Sequence, residues 1–348
     1  MLIGLQNITA IIKSKLSVEL IAEIGQAHEG SLGIAHSYID ALADAGVHTV
    51  KFQVHIAEAE SSQFEPFRVK FSYEDDTRYD YWQRMEFTAQ QWAGLKQHCE
   101  DKGMEFGASP FSLAAVDLLE SIGVKNYKIG SGEVSNFLML EKIARTGKPI
   151  LLSSGMSSFD ELDKSVEFIQ GFGNDIILFQ CTTQYPTSAE HSGLNVIPQM
   201  KQRYGLKVGL SDHSGTIYPS LAAVALGAEL LEFHVVFDKK MFGPDASSSL
   251  TIEQVKQLSQ GVQYISTSLA NPVDKNDTEK YAQLKAMFGK SLAVNKDIKA
   301  GQTIAFEDLE SKKPAGQGIS TTQYNNIVGK TLTRDLNKWD FITENDIR

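Results

Sequence analysis

The sequence predicts an α/β fold, a closed (β/α)8 barrel of the TIM type with a smaller second domain, on three observations. Eight short apolar or β-branched runs recur along the chain, each ending in polar residues. Amphipathic stretches, apolar at every third or fourth position, separate them. Successive runs are spaced by roughly 20–30 residues, the repeat of parallel βαβ units, and eight such units point to a barrel rather than an open sheet. The length of 348 residues suits a barrel of about 250 residues plus a small domain.

The elements follow in order. Residues 18–22 form the first strand and lead into Glu23; the helical period at 34–45 then places Ile34, Tyr38, Leu42 and Ala45 on one face. The second strand, 49–52, carries Lys51 and ends at Gln53. The insertion 61–86 follows, longer than an ordinary βα loop and rich in aromatic residues such as Phe64, Phe71, Tyr81 and Trp82. It reads either as a lid over one end of the barrel or as a self-packed surface excursion. Helical period at 89–101 precedes the third strand, 105–108, which ends at Ser109. Helix 113–122 leads to strand 126–129, with Lys128 inside it and Ser131 just after. Helix 137–145 leads to strand 150–152 and Ser153, and helix 159–170 to strand 176–179, with Thr183 and Tyr185 beyond its end. Strand 208–210 runs into Ser211 and His213; helix 220–226 and strand 230–233 end the series at His234.

Composition is that of a globular protein, 42% hydrophobic and 22% charged, with 33 basic and 43 acidic side chains and a net charge of -10. No dense Lys/Arg run occurs, which argues against nucleic acid or an anionic membrane as the main partner. Cys99 and Cys181 are far apart and outside any metal-ligand spacing, so neither a disulfide framework nor a structural zinc site is expected. A reducing cytoplasmic setting fits. The first twenty residues lack the pattern of a secretory leader, and no stretch reaches the roughly 20 apolar residues of a membrane span.

Residues at the carboxyl ends of barrel strands converge on one mouth, where barrel active sites lie. Each polar strand-end residue alone reads as a satisfied structural group; eight strands contributing together read as a site. Lys51 and Lys128 sit within apolar strand sequence, with hydroxyls from Ser109, Ser131, Ser153 and Ser211. Ammonium groups with hydroxyl and backbone donors make a small anion site, suited to a phosphate and a carboxylate together. His213 and His234 end neighbouring strands, and with Glu23 or Asp245 they suit Mn2+ or Mg2+ completed by water and substrate oxygen. Either histidine also reads as a general acid/base or a hydrogen-bonded core residue.

At these residues the chain resembles the sialic acid synthase family, the phosphoenolpyruvate-dependent synthases of nonulosonic acids. The matching segments include IAEIGQAHEG at 21–30, AGVHTVKFQ at 45–53, YKIGSGE at 127–133, CTTQYP at 181–186, VGLSDHSG at 208–215 and GPDASSSL at 243–250. After a polar stretch at 271–279, the segment SLAVNKDIKAGQTIAFEDLESKKPAGQGIS is similar to the family's antifreeze-like SAF domain. The resemblance implies a barrel over 1–268, a linker over 269–283 and a small β-rich SAF domain over 284–348. It also implies condensation of phosphoenolpyruvate with an open-chain aldose to give a 3-deoxy-2-ulosonic acid and phosphate. Carried over, Lys51, Ser109, Lys128, Ser131, Ser153, Thr183 and Ser211 would hold phosphoenolpyruvate. His213 and His234 would hold Mn2+ or Mg2+, Glu23 would be the acid/base, and Gln53, Tyr185 and Asp245 would meet the sugar. A domain-swapped homodimer is implied, with Phe288 and Lys313 reaching the other protomer's sugar site.

Three departures stand out. Thr183 replaces the family's usual Asn, Ala246 and Ser247 replace a His-Lys pair, and Lys313 replaces an arginine that grips an N-acetyl group. Lysine does not reproduce a planar forked donor. The expected aldose therefore differs from N-acetylmannosamine, or its acyl group is held differently. Three other readings stay open: a Schiff-base aldolase using Lys128 or Lys51, which needs no metal; a non-catalytic sugar-binding homologue; and a related phosphoenolpyruvate-condensing barrel making heptulosonate or octulosonate phosphates, against which the SAF-like tail speaks.

Overall fold

The computed structural model describes residues 18–69, 71 and 73–348; of the opening stretch read above as lacking a leader, residues 1–17 lie outside them. The chain divides into two compact units, Met1–Asn271 and Pro272–Arg348. The first is the barrel: β1 (Glu19–Gly25), β2 (Thr49–Val54), β3 (Glu105–Pro110), β4 (Tyr127–Ile129), β5 (Ile150–Ser153), β6 (Ile176–Cys181), β7 (Lys207–Asp212) and β8 (Leu230–Val236). The pairings are parallel and run in the order β3-β2-β1-β8-β7-β6-β5-β4, so the sheet returns on itself with β3 and β4 side by side at its seam. A two-residue strand, β9 (Leu250–Thr251), extends β8.

All eight predicted strands form, and helices separate them as the periodicity requires. Several helix starts are set by side-chain caps: Ser31, Ser112 and Asn136 accept backbone N–H groups of their first turns, and Thr88, Ser158 and Thr251 form full capping boxes. Helices Val196–Tyr204 and Ile252–Ala270 complete the ring. The latter runs through the expected boundary at 268.

Strand alternation sorts the residues into two sets. Leu20, Ala22 and Ile24, Val50, Phe52 and Val54, and Leu231, Phe233 and Val235 face outward into the main core beneath the helices. Ile21, Leu151, Phe179 and Leu230 face inward and form a separate apolar cluster. On each of their strands, moving toward the carboxyl end, the next inward positions are polar or sulfur-bearing: Glu23, Ser153, Cys181 and Glu232. The barrel is thus plugged with hydrocarbon below and lined with polar groups above.

The insertion between β2 and β3 contains the helix Arg78–Met85. Tyr81, Trp82 and Met85 pack with Ala57, Phe67, Phe71 and Tyr79 in a small core of their own. Arg84 fastens this layer, bonding Glu29 after β1 and Asp75 in the insertion, each at 2.8 Å. The second unit is built on an antiparallel pair, β10 (Ser291–Val294) with β11 (Leu309–Lys312), around Leu292, Val294, Ile304, Leu332 and Ile342. Among the described residues, no helix is long and apolar enough to cross a membrane.

Candidate active site

One cavity of about 240 Å3 opens at the carboxyl end of the barrel. It is lined by all the barrel residues to which a site role was carried over above: Glu23, Lys51, Gln53, Ser109, Lys128, Ser131, Ser153, Thr183, Tyr185, Ser211, His213, His234 and Asp245. Phe288 and Lys313 lie in the second unit, where the Lys313 ammonium stands 5.1 Å over the Phe288 ring. The insertion contributes Arg68, Val69, Phe71, Arg78, Tyr81 and Trp82 to the same lining. It is therefore both things the sequence allowed, a self-packed layer and part of the pocket wall.

Two lysines define the floor. Lys51 Nζ donates to Ser109 Oγ at 3.2 Å and pairs with Glu23 Oε2, the residue beside it in the β1–β2 register. Lys128 Nζ donates to Ser153 Oγ and lies 3.3 Å from Glu232 Oε1, which also accepts from Ser211 Oγ at 3.0 Å. Glu232 Oε2 stands 3.8 Å from Lys51 Nζ, so one buried carboxylate lies between both ammonium groups. Burial lowers the Lys51 pKa to about 8, with Glu232 opposing that shift and Lys128 adding to it. Burial also works against the Glu232 carboxylate, but Lys128 and Lys51 outweigh it and hold its pKa below the usual range.

Sequence reasoning missed Glu232. The signal was present: it alternates with Leu230 and His234 on β8, so all three face the barrel interior.

Above the floor, the rings of His213 and His234 have centroids 5.3 Å apart. His213 Nδ1 lies 3.1 Å from the Thr182 carbonyl and 3.9 Å from Cys181 Sγ. A proton on Nδ1 satisfies that carbonyl and leaves Nε2 free toward the pocket. Burial lowers the His213 pKa, but Cys181, the Thr182 carbonyl and Glu232 outweigh it, and the net shift is upward. His234 moves the other way, to about 4, because burial dominates, so its imidazole is neutral near pH 7. Glu23 is almost fully buried and its Oε1 has no hydrogen-bond partner.

Two glycines leave room where the strands turn out. Gly25 has φ +56, and a Cβ there would sit 3.5 Å from Glu23 Oε1 and 3.6 Å from both Gln53 Nε2 and His234 Cε1. Gly155 donates its N–H to Ser131 Oγ at 3.0 Å, and a Cβ on it would collide with Thr183 Oγ1 at 2.3 Å. Bare backbone is thus needed at the anion side of the pocket.

Tyr185 and Asp245 stand on the outer side with Arg68, another residue the sequence reading passed over. Arg68 Nη2 lies 2.6 Å from Asp245 Oδ1, and its guanidinium covers the Tyr185 ring at 4.3 Å. The partners are 177 positions apart in the chain, beyond any local pattern.

Two neutral-capable imidazoles and an orphaned carboxylate oxygen suit a divalent cation. Among the described residues, no group of three or more His, Cys, Asp or Glu side chains converges at ligand distance. The donor set therefore fits a cation that would take two side chains, His213 and His234, and complete its shell with water and substrate oxygen; the unpartnered Glu23 Oε1 lines the same pocket.

Comparisons with known proteins identify the family. The NeuB family model matches residues 38–274 and the SAF domain model residues 289–348. The chain is 34% identical to the N,N'-diacetyllegionaminic acid synthase of Campylobacter jejuni, over 93% of this chain and 98% of that one. It is 31% identical to the human N-acetylneuraminate-9-phosphate synthase, over 93% and 91%. Among solved structures, the N-acetylneuraminic acid synthetase of Leptospira borgpetersenii superposes with a TM-score of 0.69 at 29% identity, over 77% and 91% of the two chains. The spore coat polysaccharide biosynthesis protein spsE of Bacillus subtilis does so with a TM-score of 0.63 at 27% identity, over 95% of each. By family model, relatives and fold, the chain belongs to the NeuB family, an acid synthase and carbon–carbon bond-forming transferase whose barrel is followed by a SAF domain.

Proposed function

We propose that this enzyme condenses phosphoenolpyruvate with the open-chain aldehyde of an aldose, giving a 3-deoxy-2-ulosonic acid and inorganic phosphate. The observation that carries the reading is a single cavity with two buried lysines and their hydroxyl partners below, and two histidines with an unpartnered glutamate oxygen above. Lys51 and Lys128, with Ser109, Ser131, Ser153, Thr183 and Ser211, bind the phosphate and carboxylate of phosphoenolpyruvate. Glu232 lies between the two lysines and is their counter-charge until that trianionic ligand arrives. Gln53, Tyr185 and Asp245 orient the aldose so that its aldehyde carbon meets the enol carbon. Glu23 Oε1 accepts one proton from the water that adds at C2 and passes it to the former aldehyde oxygen, which becomes a hydroxyl; the water's second proton leaves with phosphate as the C2 carbonyl forms.

His213 and His234 would hold Mn2+ or Mg2+ here, which supplies Lewis-acid polarisation of a carbonyl oxygen. The reading extends to a homodimer in which Phe288 and Lys313 of each chain serve the other barrel, acting in the cytoplasm, where Cys99 and Cys181 stay reduced. Thr183, Ala246, Ser247 and Lys313, together with Arg68 on Asp245, favour an aldose other than N-acetylmannosamine, or an acyl group held by different donors.

The test is direct. Protein, phosphoenolpyruvate and Mn2+ are incubated with aldoses bearing or lacking acetamido groups, and phosphate release and product mass are followed. Phosphate and an ulosonic acid are expected with at least one sugar, and chelation of the metal should abolish both. No phosphate with any sugar overturns the reading; a covalent adduct trapped by borohydride would replace it with the Schiff-base aldolase.

A further inference from the structure

Behind Gln53 runs a chain of polar groups that the reaction above does not use. His55, just past the end of β2, is 4% exposed. Its ring is clamped between Trp82, with centroids 3.8 Å apart and planes at 16°, and Phe111, at 4.5 Å and 13°. The ring therefore has no freedom to turn. Its Nδ1 lies 2.6 Å from Glu60 Oε1, and Glu60 Oε2 accepts the Ile56 N–H at 3.3 Å. A carboxylate only accepts, so Nδ1 carries a proton, and the other nitrogen, Nε2, meets an amide NH2 group, to which it can only be an acceptor.

That Nε2 faces Gln26 Nε2 at 2.8 Å, while the same Gln26 amine donates to Gln53 Oε1. Gln53 Oε1 is 3.3 Å from His55 Nε2, so two acceptors converge on one NH2 group, which has one hydrogen for each. The carbonyl end of Gln53 is thereby taken up by Gln26. Its Nε2 points inward, to the space it shares with Glu23 Oε1 and His234 Cε1 at Gly25.

We infer that Glu60 and His55 are positioning residues that fix the polarity of the Gln53 carboxamide, making it an obligatory donor to an oxygen of the aldose. The inference rests on the condensation proposed above and deepens it by naming the chemistry of one contact. An aldose carbonyl or hydroxyl oxygen is accepted at that position. A protonated amine, which only donates, is rejected.

Two variants test this. Glu60→Gln replaces the acceptor by an amide that satisfies either tautomer; His55→Phe keeps the aromatic stack and removes both ring nitrogens. Nitrogen-15 NMR of histidine-labelled protein, with the His55 signals assigned by their loss in His55→Phe, reads the tautomer. The expected result is an Nδ1–H tautomer in the unaltered protein and a mixture in Glu60→Gln. Both variants should raise the aldose KM about tenfold or more, with the phosphoenolpyruvate KM unmoved. An Nε2–H tautomer in the unaltered protein, or an aldose KM unmoved in both variants, overturns the inference. If the unaltered protein turns over no sugar, the condensation reading falls by itself and the tautomer decides the inference.

Discussion

Lys128 Nζ lies 3.3 Å from Glu232 Oε1, with both side chains less than a tenth exposed, at the floor of a pocket whose proposed ligand is an anion. Breaking a buried pair from one side leaves the other charge unpaired, at about 3–5 kcal/mol. Glu232→Gln should therefore lower stability by an amount of that order in buffer without anions. Phosphoenolpyruvate, by neutralising the same lysines, should restore much of it. Thermal melts with and without the ligand check this; an equal ligand-induced rise in both proteins would count against a shared role.

Gly155→Ala places a methyl group 2.3 Å from Thr183 Oγ1, 2.7 Å from Ser131 Oγ and 2.9 Å from Cys181 Sγ. Side chains there must shift, at roughly 1–3 kcal/mol. The expected outcome is a folded protein whose KM for phosphoenolpyruvate rises more than its KM for the aldose. Steady-state kinetics with each substrate varied in turn would show it.

Arg68 covers Tyr185 and binds Asp245 through one of its amines. Both Arg68→Ala and Arg68→Lys should raise the aldose KM by about tenfold with little effect on phosphoenolpyruvate, because lysine keeps the charge but loses the flat, forked face. Full activity in Arg68→Lys would reduce the residue to a point charge.

His28 gives a prediction for pH. It is buried against Phe87, and burial, with His55 and Arg84, lowers its pKa from 6.5 to about 3. Between those values the unfolded chain binds the proton and the folded chain does not. Stability from this residue is therefore complete above 6.5 and falls as pH drops toward 3, by at most about 1.4 kcal/mol per pH unit. In His28→Asn the acceptor for the Gly30 N–H is retained and the titration removed. Denaturant midpoints measured across this range should fall less steeply in the variant.

Much of this was legible in the sequence. Short β-branched runs with helical stretches between them are governed by local burial, so the eight strands and most of the pocket residues could be read from pattern and family likeness. Glu232 escaped because strand ends drew the reading, whereas the period of two along β8 places it inward beside His234. His55 and Glu60 fall between the expected second strand and the insertion, where no pattern singles them out, and only the folded insertion, bringing Trp82 onto the imidazole, gives His55 a fixed geometry. Arg68 meets Asp245 across most of the barrel's length of chain, a contact that no window of sequence contains.

The hydrocarbon plug of Ile21, Leu151, Phe179 and Leu230 gives the cavity a closed bottom. Lys51, Lys128 and Ser153 are buried next to it, whereas Gln53, Tyr185 and Asp245 are half-buried toward the rim. The two substrates proposed above, held at these levels, would share one doorway. The deeper one must enter before the shallower one blocks its path, so initial-rate kinetics should show a compulsory order, with phosphoenolpyruvate binding first.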